Sequence, residues 1–267
     1  DSLTIFALAG SIKVDELETT NPDADITIGG LASDISVSNA STTRDLNLYT
    51  IIGDIYLDNV HVGQSIDIGS EDTKEYGGTD SKVEIKNTVV NQDIKINIGN
   101  GNVNLANTQV GNDLNAELYG TMSVSDVTVA NNTSVTTMNN STVTLDKFNT
   151  KGFNLTDNGQ SSLNLSNSQI DNADIKLGAD AKLTDSSINN INADIAGDLT
   201  VNNLVNTSSD LDVKGGAELA NLTSNEVKAV VGGNTQIADS SIVKLDAELK
   251  GDAEVSNLTN SEMKAVL

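Results

Sequence analysis

A five-residue motif that recurs at a fixed spacing constrains the fold of this chain more than any other feature. The motif alternates apolar residues with unrestricted residues and ends in Asn or Asp, as in Leu163–Asn167. In the C-terminal part of the chain its last residue recurs every 18 positions, at Asn167, Asp185, Asn203, Asn221, Asp239 and Asn257. A strict period of this length is typical of a solenoid, in which each repeat packs mainly against its neighbours.

The motif continues into the N-terminal part with looser spacing. There it ends at Glu16, Asn39, Asn59, Asn87, Asn107, Asp126 and Lys147, in steps of 19 to 28 residues. Seven copies here and six in the regular part make 13, so we expect about 13 coils, mostly of 18–21 residues with loop insertions. The sequence predicts one domain over residues 1–267, with irregular coils in 1–160, an insertion at 69–81 and regular coils in 161–267.

Between the motifs lie further segments in which apolar and polar residues alternate and a glycine often follows. Ile26–Gly29 and Ile66–Gly69 are examples, and a third short segment, such as Ser241–Val243, follows the motif. Alternation with a period of two predicts strands with one buried face, and glycine is expected at the corners. Short strands stacked repeat on repeat predict an all-β, parallel β-helix solenoid, right-handed by the usual preference of parallel connections.

We call the Asn and Asp residues that end the motif the Asx column. Its members are Asn39, Asn59, Asn87, Asn107, Asp126, Asn167, Asp185, Asn203, Asn221, Asp239 and Asn257. Each has the same parity in its strand as the two apolar residues before it, so we expect it to point inward. Stacked amides that hydrogen-bond from coil to coil would satisfy one another there. Lys147 interrupts this column, and a local bend or register change is expected at that position.

The charge and composition exclude several classes of partner. The formal net charge is −23, which repels nucleic acid and anionic lipid. The sequence has no run of 18 apolar residues, so no membrane insertion is predicted, and it has no cysteine for disulfides or thiolate metal sites. The chain ends in mid-coil without a polar cap. We therefore expect it to be an uncapped fragment whose neighbour is the remainder of a longer repeat protein.

Two repeats carry a resemblance to a known family. Leu211–Ser224 and Leu245–Thr259 are similar to the coils of filamentous-haemagglutinin-type exoproteins, which belong to the two-partner secretion class. Autotransporter passenger domains share a similar β-helix and composition. The resemblance implies secretion, display on the bacterial cell surface, a role in virulence, and adhesion to a glycan or protein receptor on host cells or other bacteria. It transfers no catalytic residue to this chain.

The insertion Gly69–Ser81 is the candidate binding segment, because loops that leave a rigid scaffold often carry recognition. Its candidate contact residues are Glu71, Asp72, Lys74, Glu75 and Tyr76. The alternative is a tolerated surface insertion without a role. The single histidine, His61, lies on the preceding coil and is expected to be a solvated surface residue.

No catalytic, cofactor or metal site is predicted. Calcium is a weak possibility at two acidic clusters, Asp23/Asp25 and Glu71/Asp72, because carboxylates are the oxygen ligands that this ion takes. Neither cluster belongs to an EF-hand loop or a glycine-rich nonapeptide repeat. A solvated acidic surface is the favoured explanation of both clusters.

Three classes of function compete. The first is a non-enzymatic structural and adhesive shaft of a secreted bacterial adhesin, which explains the repetition and the acidic charge. The second is a polysaccharide-binding or polysaccharide-degrading β-helix enzyme, which is disfavoured by a single arginine, Arg44, and by the absence of tryptophan. The third is a surface-layer or ice-binding solenoid. A regular ice-binding array is not expected, because equivalent outward positions differ: Asn164, Lys182, Thr200, Glu218, Gln236 and Glu254.

Overall fold

A computed structural model describes residues 2–69 and 81–266 of the chain. It is a parallel β-solenoid of about 13 turns, as the motif spacing predicts, and the described residues contain no helix. It follows that no helix in residues 2–69 and 81–266 is suited to span a membrane. The chain divides into two compact units, Asp1–Thr136 and Thr137–Leu267.

The first unit consists of short strands. They are β1 (Leu3–Ala9), β2 (Ile12–Asp15), β3 (Ile26–Ala32), β4 (Ile35–Thr42), β5 (Leu46–Ile52), β6 (Ile55–Val62), β7 (Ile66–Ile68), β8 (Ser81–Lys86), β9 (Val89–Val90), β10 (Ile94–Asn97), β11 (Gly101–Val110), β12 (Leu114–Leu118) and β13 (Met122–Val129), followed by β14 (Asn132–Thr137) at the unit boundary. The predicted insertion falls between β7 and β8.

The strands of the second unit are longer. They are β15 (Thr142–Asp157), β16 (Ser162–Ser166), β17 (Gln169–Leu177), β18 (Ala181–Ile195), β19 (Leu199–Val213), β20 (Ala217–Val231), β21 (Thr235–Ala238), β22 (Ser241–Leu249), β23 (Ala253–Ser256) and β24 (Thr259–Val266). Sequence alternation predicts separate short strands on either side of the motif. In β18, β19 and β20 the backbone instead passes through the motif corner as one continuous strand.

Equivalent residues of successive coils pair in parallel register and build the core in columns. In the first unit Ile26 pairs with Leu46, and Leu46 pairs with Ile66. All three side chains are fully buried. Burying one such side chain contributes about 1.5–3 kcal/mol, so the columns of aliphatic side chains supply the main stabilising term of the fold.

The largest fully buried side chains lie in the core of the second unit. Phe148 and Phe153 are buried, and their rings meet edge to face at a centroid distance of 6.0 Å. Edge-to-face packing is a favoured geometry for aromatic pairs. A solenoid interior is narrow, and two phenylalanines from one coil fill the space that smaller aliphatic residues fill in other coils.

The Asx column does not point inward, so that prediction is wrong. Every member has a left-handed backbone, with φ between 48° and 55°, and an exposed side chain. The residue that follows is buried for ten of the eleven members, in the order Ala40, Val60, Thr88, Thr108, Val127, Ser168, Ser186, Leu204, Leu222 and Ser240, whereas Leu258, which follows Asn257, is partly exposed. The left-handed residue turns the strand through a corner. After it, the alternation of buried and exposed side chains continues with the opposite parity. Asn and Asp tolerate this conformation better than most residues.

Lys147 adopts the same corner as the Asx column, with φ of 50°. The register with the following coil does not change at this position. Asp146 pairs with Ser166 before the corner and Asn149 pairs with Gln169 after it, both at a separation of 20 residues. The backbone geometry of the coil therefore does not depend on an Asn or Asp at this position, although Lys adopts it at a higher energetic cost.

Gly29 is a second departure from expectation, because it lies inside β3 rather than at a corner. A Cβ on Gly29 would lie 2.0 Å from Cζ of Tyr49 on the next coil. The ring of Tyr49 thus covers Gly29, and the glycine is required by this close approach. Gly69 does lie at a corner, with φ of 85°.

Candidate functional site

The predicted binding loop lies mainly outside the described residues. Glu71, Asp72, Lys74, Glu75 and Tyr76 all belong to segment 70–80, whereas the flanking Gly69 and Ser81 are described. Gly69 is fixed by its surroundings, because a Cβ there would lie 1.9 Å from the carbonyl oxygen of Asn97. Both ends of the insertion are therefore attached to ordered coils of the first unit.

Members of the Asx column form hydrogen bonds between successive coils on the outside of the solenoid, some to each other and some to the residue before the neighbouring corner. Nδ2 of Asn107 donates to Oδ1 of Asn87 at 2.8 Å, in the first unit. In the second unit, Asn203 donates to Asp185 and Asn257 donates to Asp239, each at 2.8 Å. Each bond joins successive coils at their corners, so the column stabilises the stacking of the solenoid.

A cluster of charged and aromatic side chains lies beside the insertion. Lys82 and Lys86 both form ion pairs with Glu84, and Nζ of Lys82 lies 5.6 Å from the ring centroid of Tyr56. Hydrogen bonds from Lys82 and Lys86 lower the pKa of Glu84 below its usual value. The hydrogen bond from Tyr56 to Asp54, together with burial, raises the pKa of the tyrosine to about 12.

An open groove crosses three coils at the corner where the insertion ends. We call it the corner groove. It has a volume of about 330 Å³ and is lined by Ser81, Lys82, Asn100, Gly101, Asn102, Tyr119 and Gly120. Tyr119 is 40% exposed. Ser81 pairs with Gly101. We call these two residues and Gly120, which lie on three successive coils, the floor of the groove, and the other lining residues its walls.

The floor of the corner groove is glycine because the backbones of adjacent coils approach closely there. A Cβ on Gly120 would lie 1.7 Å from the carbonyl oxygen of Gly101, and one on Gly101 would lie 2.0 Å from that of Ser81. No larger residue fits without movement of the backbone. The groove therefore results from the close approach of the backbones of successive coils at this corner.

The walls of the corner groove present polar groups that have no partner among the described residues. Oδ1 of Asn102 accepts a hydrogen bond from the Thr121 hydroxyl at 2.6 Å, which fixes the amide and leaves its nitrogen free. Within residues 2–69 and 81–266, the side-chain amide of Asn100 and the hydroxyl of Tyr119 likewise have no hydrogen-bond partner. The groove thus offers amide and phenol groups beside an exposed aromatic ring.

A second open groove lies in the second unit. It has a volume of about 440 Å³, and its lining includes Glu218, Gln236 and Glu254 on successive coils, together with Asp198 and Asp252. Gln236 pairs with Glu218 on one side and Glu254 on the other, so the two glutamates lie two coils apart. The groove is acidic, and its lining also includes the apolar residues Leu199, Ala217 and Ala253.

The other candidates from the sequence are the exposed His61 and the partly buried Asp25. His61 is exposed in β6, and Asp25 forms an ion pair with Arg44 at 3.1 Å. Residues 2–69 and 81–266 contain no group of three or more His, Cys, Asp or Glu side chains placed to hold a metal ion. Glu71 and Asp72 lie outside these residues.

One buried carboxylate was not singled out in the sequence. Asp157 is 7% exposed and accepts hydrogen bonds from the backbone nitrogens of Gly159, Ser161 and Gly178 at 2.7–2.9 Å. Its Oδ1 also accepts from the hydroxyls of Thr137 and Ser161. Burial alone would raise its pKa, but these hydrogen bonds outweigh burial and hold the pKa below its usual value. Asp157 therefore stabilises the corner of its coil.

No family model, curated protein or solved structure matches this chain.

The corner groove shows what sequence reasoning missed. Tyr119, Asn100 and Asn102 are separated by only two to nineteen positions, but their juxtaposition depends on the register between coils. A sign of the groove is visible in the sequence, because two glycines, Gly101 and Gly120, are separated by one coil length. An aromatic residue directly before such a glycine, as at Tyr119, could have marked the groove.

Proposed function

We propose that this chain is a non-enzymatic structural and adhesive shaft of a secreted bacterial surface adhesin. The observation that carries the proposal is the repeated hydrogen-bonded Asx column, which supports stacked coils in both units. A scaffold of this kind presents surface side chains and insertions at fixed positions. The resemblance of its repeats to filamentous-haemagglutinin-type and autotransporter proteins supports the same conclusion.

The adhesive part of the proposal depends on the first unit. There the insertion and the corner groove meet at Ser81, and the ion-paired cluster around Glu84 lies beside them. Exposed tyrosines are favoured in recognition surfaces because the rigid ring provides a large contact area. Receptor contacts are therefore assigned to this corner of the first unit, with a glycan or protein receptor on host cells or other bacteria.

The experiment that tests this function measures retention of protein-coated beads on host-cell and bacterial layers under flow. The wild-type chain is compared with a variant in which segment 70–80 is replaced by a short Gly-Asn turn. Gly69 and Ser81 are kept in this variant, because both are part of ordered coils. Retention of wild-type beads above albumin-coated beads is expected, and loss on replacement would assign binding to the insertion. Wild-type retention no higher than albumin would refute the adhesive role and favour a surface-layer scaffold.

The polysaccharide-degrading alternative has one observation in its favour. Glu218 and Glu254 face the same open groove of the second unit, two coils apart. At a coil spacing of about 4.8 Å their backbones are separated by about 10 Å, close to the upper limit for the paired carboxylates of inverting glycosidases. Release of reducing ends from plant or bacterial polysaccharides, lost in Glu218→Gln and Glu254→Gln, would establish this alternative and exclude the non-enzymatic proposal.

A further inference from the structure

The corner groove has the volume of a small-ligand site. Its volume of about 330 Å³ lies within the range of roughly 300–1,000 Å³ that is usual for small-molecule pockets. Its lining includes the glycines Gly101 and Gly120 and the side chains of Tyr119 and Asn102. A ligand that fills it must combine an apolar surface with several hydrogen-bonding groups.

The charge of the lining restricts the ligand further. Lys82 is the cationic residue in the lining, and its ammonium group is already paired with Glu84. The lining has no carboxylate that could bind a metal ion. The formal net charge of −23 repels polyanions from the surface. An anionic ligand would therefore gain no free cation in the groove and would be repelled by the chain as a whole.

Neutral sugars match the remaining requirements. A pyranose ring has apolar C–H faces, which stack on an aromatic ring such as that of Tyr119. It also has hydroxyl groups that both donate and accept hydrogen bonds, as the side-chain amides of Asn100 and Asn102 do. The amide of Asn102 is already oriented by Thr121, so part of the site is preorganised before a ligand binds.

We propose that the corner groove binds a neutral saccharide, with Tyr119 as the stacking platform and the amides of Asn100 and Asn102 as hydrogen-bonding partners. This inference rests on the proposed adhesive function, for which it names the receptor chemistry. The groove lies across three coils. Its register, and not any single loop, therefore determines the spacing between the aromatic ring and the amides.

The test uses the whole chain and a panel of neutral gluco-, galacto- and manno-oligosaccharides, with an oligogalacturonate as the anionic counterpart. Binding is followed through the backbone amide resonances of Gly101 and Gly120, which report directly on the floor of the groove. At least one neutral oligosaccharide is expected to shift both resonances, and the oligogalacturonate is expected to leave them unchanged. A panel that leaves both resonances unchanged would overturn the inference, as would preferential binding of the oligogalacturonate.

Two variants at one position and one matched control complete the test. Tyr119→Ala is expected to weaken saccharide binding by about tenfold or more, and Tyr119→Phe by less than about threefold, because the ring provides the stacking surface. Leu31→Ala is the control, since Leu31 is 41% exposed in the same unit and lies outside the groove. Unchanged affinity in Tyr119→Ala would contradict the inference.

The bead assay separates this inference from the adhesive function. If wild-type and Tyr119→Ala beads are retained equally and no saccharide binds the groove, the inference fails while the adhesive function stands. If the groove binds a saccharide and wild-type beads are not retained, the adhesive function fails while the site remains.

Discussion

Asn59 donates a hydrogen bond from Nδ2 to Oδ1 of Asn39, one coil earlier, at a distance of 2.8 Å. Both residues have a left-handed backbone, with φ of 54° and 51°. One residue type thus meets two requirements at each corner. It tolerates a conformation that most residues avoid, and its amide can donate a hydrogen bond to, or accept one from, a residue at the corner of a neighbouring coil.

The first prediction separates these two requirements at Asn107, which has φ of 52° and donates to Asn87. Asn107→Gly should lower the free energy of unfolding by about 1 kcal/mol, because it loses one hydrogen bond. Asn107→Ala should lower it by about 2–3 kcal/mol, because the left-handed conformation costs a further 1–2 kcal/mol. Urea titrations followed by circular dichroism measure both changes.

Asn115→Ala is the control for this comparison, because Asn115 is exposed in β12 with an ordinary strand backbone. Its substitution should change the free energy of unfolding by less than about 0.5 kcal/mol. Equal losses in the Gly and Ala variants of Asn107 would show that the left-handed backbone contributes nothing to the preference for Asn.

The second prediction concerns Lys147, which has the corner conformation without the side chain that suits it. Lys147→Asn and Lys147→Gly should each raise the free energy of unfolding, by about 0.5–1 kcal/mol, because both residues adopt a left-handed backbone at lower cost. Thermal unfolding of the two variants beside wild type checks the direction. Lys182→Asn is the control, because Lys182 lies at an exposed position of β18 with an ordinary backbone. This substitution should not stabilise the chain. If it does, the stabilisation of the Lys147 variants comes from the loss of a positive charge and not from the backbone conformation.

The third prediction concerns the buried carboxylate of Asp157. Asp157→Asn should lower the free energy of unfolding by about 2–4 kcal/mol at neutral pH. The amide nitrogen would face donors that now bond a carboxylate oxygen, and at least one would be left unsatisfied. Urea titration at pH 7 measures the loss, and Asp212→Asn, at an exposed position of the same unit, serves as the control.

The carboxylate of Asp157 also predicts the direction in which the free energy of unfolding changes with pH. Its folded-state pKa lies below the unfolded value, which is about 3.9 for Asp. Its contribution is therefore present above about pH 4 and is lost as the pH falls below that value. The difference in stability between wild type and Asp157→Asn should shrink on acidification. A constant difference between pH 7 and pH 2.5 would contradict the assignment.

The fourth prediction uses the hydroxyl of Tyr56. Its pKa of about 12 in the folded chain lies above the unfolded value of about 10, so it contributes stability that is present below pH 10 and is lost as the pH rises to 12. Ultraviolet titration of wild type minus Tyr56→Phe should isolate one phenol that ionises near this value. In Asp54→Asn the midpoint should move toward 10; a midpoint near 10 in wild type would contradict the hydrogen bond.

Much of the fold could be predicted from residue periodicity, because burial imposes its pattern directly on the sequence. The spacing of Asn167, Asp185 and Asn203 predicts the coil length, and the alternation in segments such as Ile66–Gly69 predicts the strands. The direction of the Asx side chains could not be obtained by extending that alternation. One left-handed residue reverses the parity of the strand. In the sequence the reversal is marked by an apolar or small polar residue directly after the Asx position, where continued alternation would place an outward residue, as at Leu204 and Thr108.

The candidate site was less accessible from the sequence than the fold. The insertion was recognised because it interrupts the repeat, but the corner groove arises from close backbone contact between Gly101 and Gly120. That contact depends on three-dimensional register. The ring of Tyr119 becomes part of a site only when stacking places it beside Asn102 and the glycine floor.

The central claim, that this chain binds a receptor on cell surfaces, is tested most directly by equilibrium binding of the fluorescently labelled soluble chain to host cells and bacteria. The account predicts saturable binding that an excess of unlabelled chain displaces. Binding that rises linearly with concentration and is not displaced would contradict it.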